Sequence, residues 1–530
     1  MSSRKKTLQD LWGELSGASG FGGLASWPPD AFAFTSMALE ASGAYRRVVS
    51  PSKGEQWPPR RNWAQTVQQK GRKWAEHLSQ RSAAPFALVQ ALLTTIQGGS
   101  QVPVGELAKG RHWDVCRAIL ELHALADEAC AGVGHFADPS AGKRFISRAR
   151  ARLIVKGTLS RLPKDRVRVA PKIRTPQSGI NIRSLSKHLS AVRGEVDVEW
   201  FRRTHSESTD RTLNLLLLPW PLEVLPSDFK KAAAPNHLSL AEGFGFFDFD
   251  PSKRPPVDKI GQIVDAAQAQ VGDIHGIILP ESALSERDFR EAKRLLSSHS
   301  PQVGFFLSGV RKPDTNCALM TVFEPQDAAA TESEDRGQDF EQHKHHRWYL
   351  DDDQIRQYHL GGSLHPDTRW WESMKVRSRR LHFLSYYDWL VMVPLVCEDL
   401  ARPDPVADIV RAVGPNLVIA LLLDGPQLAQ RWSGRYASIL ADDPGSSVLS
   451  LTSLGMVTRS NPPGTSPSRV VALWRDPRNG HREISLDRGS DGVVVMLSGM
   501  QDDEWTADGR KDSGTANCLV LSGVEQVAAP

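Results

Sequence analysis

The stretch HFLSYYDWLVMVPLVCEDL, residues 382–400, contains two apolar strands joined by a sharp turn, and the second strand runs into Cys397, Glu398 and Asp399. A strand that is apolar along its whole length is typical of a sheet covered on both faces. A cysteine at the end of such a strand is expected at the rim of the sheet, where open α/β sheets carry their reactive groups. Cys397 is therefore a candidate nucleophile. The alternative is a core cysteine, because cysteine is among the most buried residue types.

The alternation of short apolar runs with helical segments extends from this stretch over residues 213–498. Runs such as LNLLLLPWP (213–221) and IHGIILPESAL (274–284) predict strands, and amphipathic segments such as 256–272 predict helices between them. Strands and helices that alternate in this way favour a layered α/β domain. We predict that this domain covers 213–498 and that a C-terminal tail, 499–530, follows it.

The N-terminal part, residues 1–142, has a different texture. Its apolar residues recur at helical spacing, glycine and proline separate the segments, and residues 1–135 contain no alternating strand pattern of any length. We predict a helical N-terminal domain that serves interaction or assembly.

A basic segment, residues 143–212, connects the two parts. Its portion 143–194 holds fifteen lysines and arginines but one acid, Asp165. Such a stripe attracts phosphates, and counterion release favours its binding to nucleic acid. Two alternatives stay open: a solvated linker, or basic arms that dock on acidic faces of the same protein.

The composition is that of a globular protein with two or three domains, since the chain has 530 residues, 40% hydrophobic content and a net charge of +4. No cleavable signal is expected, and apolar runs such as Leu417–Leu423 are far shorter than the ~20 residues of a membrane helix. The five cysteines are scattered and form no CxxC pair, so we predict neither a disulfide framework nor a metal site. We expect a cytoplasmic protein without a cofactor.

Four motifs occur in an informative order: PESAL with Glu281, KHHRW with Lys344, Glu372 before the strand pair, and the CED turn at Cys397. In this order the chain resembles the nitrilase (carbon–nitrogen hydrolase) superfamily over about half its length. The resemblance implies an αββα sandwich, here preceded by the α-helical N-terminal region, and a small-molecule amide or nitrile substrate. It also implies a homo-oligomer.

The same resemblance implies the site roles. Cys397 would attack the substrate carbon and form a thioester or thioimidate. Glu281 would be the general base, Lys344 would stabilise the developing negative charge, and Glu372 would orient Lys344 or assist proton transfer. The ammonium of Lys344 would keep the neighbouring carboxylates ionised. Asp399 is expected to brace the turn.

Each assignment has an alternative. Glu281 is otherwise a helix-capping acid, Lys344 a surface lysine in a basic run, and Glu372 an exposed acid beside two tryptophans. Lys344 and Glu372 are also separated by a long insertion, which includes LDDDQIRQYHLGGSLHPD and is expected to loop out and line the pocket near Cys397.

A narrower resemblance rests on RTPQSGINIRSLSKHL, KHHRWYLDDDQIRQYHLG and LADDPGSSVLSLTSLGM. These segments are similar to the nitrilase half of bacterial reverse-transcriptase–nitrilase fusions, a class associated with antiphage defence. No YxDD polymerase strand is found. The leading hypothesis is a cysteine hydrolase cleaving a non-peptide C–N bond. The alternative is a catalytically divergent binding or assembly protein that partners a reverse transcriptase or a nucleic acid through 143–194.

Overall fold

A computed structural model describes residues 5–530 apart from 81–85, 135–142, 174, 176–178, 194–195, 204–209, 235–239, 300–302, 324–336, 377–378 and 465. The α-helices are α1 Leu8–Ser16, α2 Pro28–Ser42, α3 Trp63–Ser79, α4 Ala87–Gly98, α5 Trp113–Ala129, α6 Lys143–Lys156, α7 Ile260–Val271, α8 Glu286–Ser297, α9 Asp352–Gln357, α10 Asp408–Val413, α11 Trp432–Asp442 and α12 Leu454–Arg459.

The strands are β1 Arg168–Pro171, β2 Leu189–Val192, β3 Asp197–Arg202, β4 Thr212–Leu217, β5 Phe229–Ala232, β6 Phe244–Phe249, β7 Gly276–Ile278, β8 Leu284–Ser285, β9 Phe305–Lys312, β10 Thr315–Phe323, β11 Gly337–His343, β12 Tyr349–Leu350, β13 Arg369–Glu372, β14 Arg380–Tyr387, β15 Leu390–Val396, β16 Leu417–Leu421, β17 Ser447–Leu451, β18 Val470–Asp476, β19 Gly480–Ser485, β20 Gly492–Trp505 and β21 Lys511–Val527.

The chain divides into two compact units. The first contains 1–200, 408–415 and 501–517, and the second contains the remaining residues from 201 to 530. This division differs from the predicted boundaries. Much of the basic segment lies in the first unit as folded structure, and the predicted tail 499–530 consists largely of the long strands β20 and β21.

The first unit is mainly helical, with α2, α3 and α4 packed on α5. Its basic segment is anchored from within by acids. The Asp127 carboxylate accepts the backbone N–H groups of Lys187 and His188 at 2.7 and 2.9 Å, and it pairs with the fully buried Arg510 at 2.9 Å. Arg510 also contacts Glu128 at 2.9 Å. Within the segment itself, the buried Lys187 ammonium lies 3.6 Å from Glu128. This contact favours internal docking for this part of the segment, because buried charges need partners.

The second unit contains two facing sheets with helices outside them. One sheet has the order β11-β10-β9-β7-β4-β20-β21, and the other contains β19-β18-β17-β16-β15-β14 in that order. Strand β10 faces β15 and β11 faces β14, while α7 and α8 cover the first sheet and α11 and α12 the second. The predicted α/β fold, an αββα sandwich with a helical N-terminal region, is therefore confirmed.

The apolar strands have the burial that this layering requires. Strands β15, β16 and β17 run parallel, and every residue of these three strands is buried. Parallel strands covered on both faces are uniformly apolar because each side chain enters a core. Their carboxyl ends share one edge of the sheet, and Cys397 follows β15 at that edge.

The long insertion between Lys344 and Glu372 is folded rather than looped out. It supplies β12, α9 and β13, and these strands join β6 and β5 in a sheet of order β12-β13-β6-β5. The apolar residues of the insertion, which include Trp348, Ile355 and Trp370, share one core cluster with Phe229 of β5 and Phe247 of β6. Because β13 runs back beside β12, the end of the insertion returns close to its start. None of the helices in the described part of the chain is long and apolar enough to cross a membrane.

Candidate active site

Cys397 lies at the start of the short 3-10 turn Cys397–Leu400, directly after β15. Its φ of 47° is in the left-handed region, which is uncommon for a residue with a side chain. Such backbone strain persists where the surrounding structure holds it and is frequent at active sites. The side chain is 2% exposed, so the thiol is sheltered from bulk water.

Glu281 follows β7 on the opposite sheet and is fully buried. The turn that carries it is packed against Gly309 of β9, whose N–H donates to the Pro280 carbonyl at 3.1 Å. A Cβ added to Gly309 would lie 2.4 Å from the Glu281 Cα. The glycine is therefore required by this close approach, and it fixes the position of Glu281.

Lys344 directly follows β11, and its backbone N–H donates to the Asn316 carbonyl of β10 at 2.9 Å. Two residues earlier, Gln342 Nε2 donates to the Pro394 carbonyl of β15 at 2.5 Å. The strand that leads to Lys344 is thereby tied to the strand that leads to Cys397. The side chain of Lys344 is fully buried, unlike that of a surface lysine.

The structure brings the four predicted side chains together. Lys344 Nζ lies 2.8 Å from Oε1 of Glu281 and 2.6 Å from Oε2 of Glu372. The Cys397 thiol is close enough to the Glu281 carboxylate for each group to shift the pKa of the other. Glu372 is only 14% exposed in its side chain and also accepts the backbone N–H of Trp348 at 3.0 Å. Glu281 and Glu372 thus flank one buried ammonium.

Asn316 is a fifth member of this group, and no role was predicted for it. Its Nδ2 donates to Oε1 of Glu281 and to Oε1 of Glu372, each at 2.7 Å. Like Lys344, it bridges the two carboxylates. Its signal in the sequence is weak, because it is only a polar residue at the start of an apolar strand, β10.

Asp399 braces the nucleophile turn, as predicted from its position. Both of its carboxylate oxygens lie 3.1 Å from the backbone nitrogen of His345, and His346 Nδ1 lies 2.9 Å from Oδ1. His345 follows Lys344, and Asp399 lies two residues after Cys397. Asp399 therefore joins the residue after Lys344 to the turn that begins at Cys397. The Gln342–Pro394 contact joins residues that precede Lys344 and Cys397.

Burial controls the proton affinities of the site. Burial raises the pKa of Glu281 above its ordinary value of 4.5, although the Lys344 ammonium opposes this shift. Burial alone would lower the pKa of Lys344, but the carboxylates of Glu281 and Glu372 outweigh it and raise that pKa well above 10.5. Lys344 is therefore a permanent cation at neutral pH.

The thiol is held in its neutral form. Burial raises the pKa of Cys397 well above 9.0, the Glu281 carboxylate raises it further, and Lys344 opposes both effects. A resting thiolate is thus disfavoured, and the thiol needs a base at the moment of attack. The nearby carboxylate of Glu281 has a pKa raised by burial, which suits proton transfer from such a thiol.

A polar network built around Asp424 joins the insertion to the carboxyl edge of β16. Asp424 accepts a hydrogen bond from the Tyr358 hydroxyl, and it contacts Arg431 Nη2 at 2.7 Å and Trp432 Nε1 at 3.0 Å. Its negative charge is close enough to raise the pKa of Cys397. The folded insertion is therefore fixed beside the site by buried polar contacts.

The arrangement contains side chains of the kinds that acyl transfer requires: a thiol, a carboxylate near it and a buried ammonium. Among the residues that the structure describes, no cluster of histidine, cysteine, aspartate or glutamate could hold a metal ion. The side chains that converge are two carboxylates, an ammonium, a carboxamide and a thiol.

No protein-family model and no curated protein matches the chain. Among solved structures, it is similar to Nit3 of Saccharomyces cerevisiae, a member of branch 10 of the nitrilase superfamily, at 12% identity and a TM-score of 0.31, covering 53% of this chain and 89% of that one. It is also similar to XC1258 of Xanthomonas campestris, a CN-hydrolase superfamily protein, at 13% identity and a TM-score of 0.30, covering 54% and 89%. Both similarities are to nitrilase-superfamily structures and extend over about half of this chain.

Proposed function

We propose that this protein is a cysteine hydrolase that cleaves the C–N bond of a small amide. The observation that carries the proposal is the convergence of Glu281, Lys344 and Glu372. The Cys397 thiol is close enough to Glu281 for each group to shift the pKa of the other. A fully buried lysine between two carboxylates is costly unless it is paired so closely, and such groups concentrate at functional sites.

In the proposed reaction, Glu281 takes the thiol proton as the Cys397 sulfur attacks the amide carbon. Lys344 has three N–H donors, and two are used by the carboxylates, which leaves the third for the developing oxyanion. The backbone N–H of Glu398 is a second donor to this oxygen in the proposal.

Collapse of the tetrahedral intermediate breaks the C–N bond, and Glu281 returns the proton to the departing nitrogen. The amine leaves, and the acyl group remains on Cys397 as a thioester. Glu281 then takes a proton from water, whose oxygen attacks the thioester carbon. The S–C bond breaks, the carboxylic acid is released and the proton returns to the thiol. Glu372 holds Lys344 in place throughout.

The proposal is tested with a panel of primary amides that differ in acyl size and charge, with ammonia release as the readout. Cys397→Ala is expected to abolish release without changing the thermal unfolding midpoint. Cys518→Ala, which removes another buried cysteine of the same unit, is the matched control and is expected to retain the activity. Full activity in Cys397→Ala would refute the mechanism.

An antiphage role is the cellular setting that we propose from the narrower sequence resemblance. Expression of the chain in a bacterial host is expected to reduce phage plating, and Cys397→Ala is expected to remove the protection. Equal protection by both chains would separate the cellular role from the hydrolase site.

Nucleic-acid contact through the basic segment is a second proposal. Arg144, Arg148 and Lys156 are exposed along α6. If they bind phosphates, the affinity for nucleic acid falls steeply with salt, and the double change Arg144→Glu, Lys156→Glu flattens that dependence. Lys109→Glu, another exposed basic position of the first unit, is the control.

A further inference from the structure

Two buried acceptor oxygens of the site have no hydrogen-bond donor of their own. Neither Oδ1 of Asn316 nor Oε2 of Glu281 has a hydrogen-bond partner among the described residues. Asn316 is 6% exposed and Glu281 is fully buried, so bulk water does not serve them freely. Buried acceptors are normally satisfied, and exceptions at a candidate site point to a missing partner.

The identity of the Asn316 oxygen follows from its neighbours. The other end of the carboxamide contacts two carboxylate oxygens at 2.7 Å each, and only the NH₂ group can donate to both. A flipped carboxamide would place three oxygens against one another. The end without a partner is therefore the acceptor.

The main chain holds Asn316 rigidly in this orientation. Its backbone carbonyl accepts the Lys344 N–H at 2.9 Å, and β10 is hydrogen-bonded to β9 on one side and β11 on the other. The Nδ2 bonds to the two carboxylates hold the side chain, so the free acceptor lies beside Glu281.

We propose that Asn316 is a specificity-determining residue whose Oδ1 accepts an N–H from the scissile nitrogen, so that the site selects amides with an unsubstituted NH₂ group. This inference rests on the proposed function. As the C–N bond breaks, Glu281 supplies the proton and the nitrogen leaves as ammonia, with one N–H on Asn316. An N,N-dialkyl amide has no hydrogen for this oxygen and places a methyl group against a buried acceptor.

The inference is tested on the full chain with iodoacetamide and its N,N-dimethyl analogue, which carry the same reactive carbon. The full chain is alkylated, and the rate at Cys397 is then measured by mass spectrometry of the peptide that contains it. This rate is divided by the rate at which the same reagent alkylates glutathione. We expect a corrected preference for iodoacetamide of about tenfold or more, because sites built around hydrogen bonds reject analogues that lack the donor.

Asn316→Leu is expected to bring the corrected ratio close to one. Thr321→Val, which replaces another buried polar residue of the same strand, is the control and is expected to keep the wild-type ratio. The ratio is informative even if Asn316→Leu does not fold, because the wild-type chain alone gives it.

The outcomes separate the two levels of the proposal. Rapid alkylation of Cys397 with a corrected ratio near one would overturn the role of Asn316 and leave the hydrolase proposal standing. An unchanged preference in folded Asn316→Leu would also overturn that role. Failure of both reagents to alkylate Cys397, while glutathione reacts, would count against the proposed nucleophile itself.

Discussion

The backbone N–H of His345 points to Asp399, whose two carboxylate oxygens both lie 3.1 Å from its nitrogen. This contact joins the residue after Lys344 to the turn that begins at Cys397. The Gln342–Pro394 hydrogen bond of 2.5 Å joins the two strands that precede these residues. The two contacts together fix the position of Lys344 relative to Cys397. Precise placement of the reacting groups is a large part of catalysis, since small displacements cost rate.

Asp399→Asn is therefore expected to lower kcat for an amide selected by the ammonia-release panel by about ten- to a hundredfold. The variant keeps one acceptor but places an NH₂ group against the His345 N–H and His346. Asp404→Asn is the control, because Asp404 is 87% exposed a few residues further along the chain. An unchanged kcat in folded Asp399→Asn would show that the contact does not position the site.

The pH dependence follows from Glu281. Its pKa is raised above 4.5 by burial, and the base must be ionised to accept the thiol proton. Activity is therefore lost as the pH falls through that raised pKa, so the acid limb of kcat/KM has its midpoint above 4.5. Alkylation of Cys397 is expected to rise over the same interval and then level off.

The same experiment carries its own reference. The rate at the Cys518 peptide, whose thiol pKa is raised by burial, is expected to climb steadily with pH, as for a thiol without a base. Glu281→Gln is expected to remove the plateau at Cys397. A Cys397 rate that climbs in parallel with Cys518 in the wild-type chain would exclude Glu281 as its base.

Gly309→Ala tests the support beneath Glu281. The new methyl group would lie 2.4 Å from the Glu281 Cα and 2.5 Å from the Ser282 nitrogen, so the turn must shift. We expect a loss of about 1–3 kcal/mol in the free energy of unfolding and a larger fractional loss of activity. Gly361→Ala, whose Cβ meets no atom within 4 Å, is the matched control.

Much of the fold was predictable because the buried strands are recognisable in the sequence as apolar runs. The apolar runs that gave β4, β7, β9, β15 and β16 are fully or mostly buried. Glu281 follows β7, and Cys397 follows β15. Strand β11 was not predicted, because GQDFEQH is polar and follows an acidic stretch. It is nevertheless the strand that places Lys344.

The contacts around the site could not be predicted from the sequence, for a related reason. Asn316, Gln342 and Gly309 act across pairs of strands that are distant along the chain, and no local periodicity encodes such pairings. The insertion was expected to loop out, yet its aromatic residues pack in one cluster with Phe229 and Phe247 of neighbouring strands. A single sequence shows such residues to be apolar without showing what they pack against.

Tyr358→Phe tests whether buried polar contacts hold the insertion in place beside the site. It removes the hydroxyl that donates to the buried Asp424, and Arg431 and Trp432 remain as partners of that carboxylate. We expect a loss of about 1–3 kcal/mol in the free energy of unfolding and faster proteolysis within 344–372. Tyr349→Phe, in β12 of the same insertion, is the control. Equal proteolysis of both variants would show that the Tyr358 hydroxyl does not hold the insertion in place.

The central claim is that Cys397 becomes acylated during turnover. The most direct measurement is an acid quench of the wild-type chain during turnover of an amide, followed by peptide mass spectrometry. We predict an added acyl mass on the Cys397 peptide of the wild-type chain and its absence in Cys397→Ala. An acyl mass on another residue, or undiminished turnover in Cys397→Ala, would contradict the account.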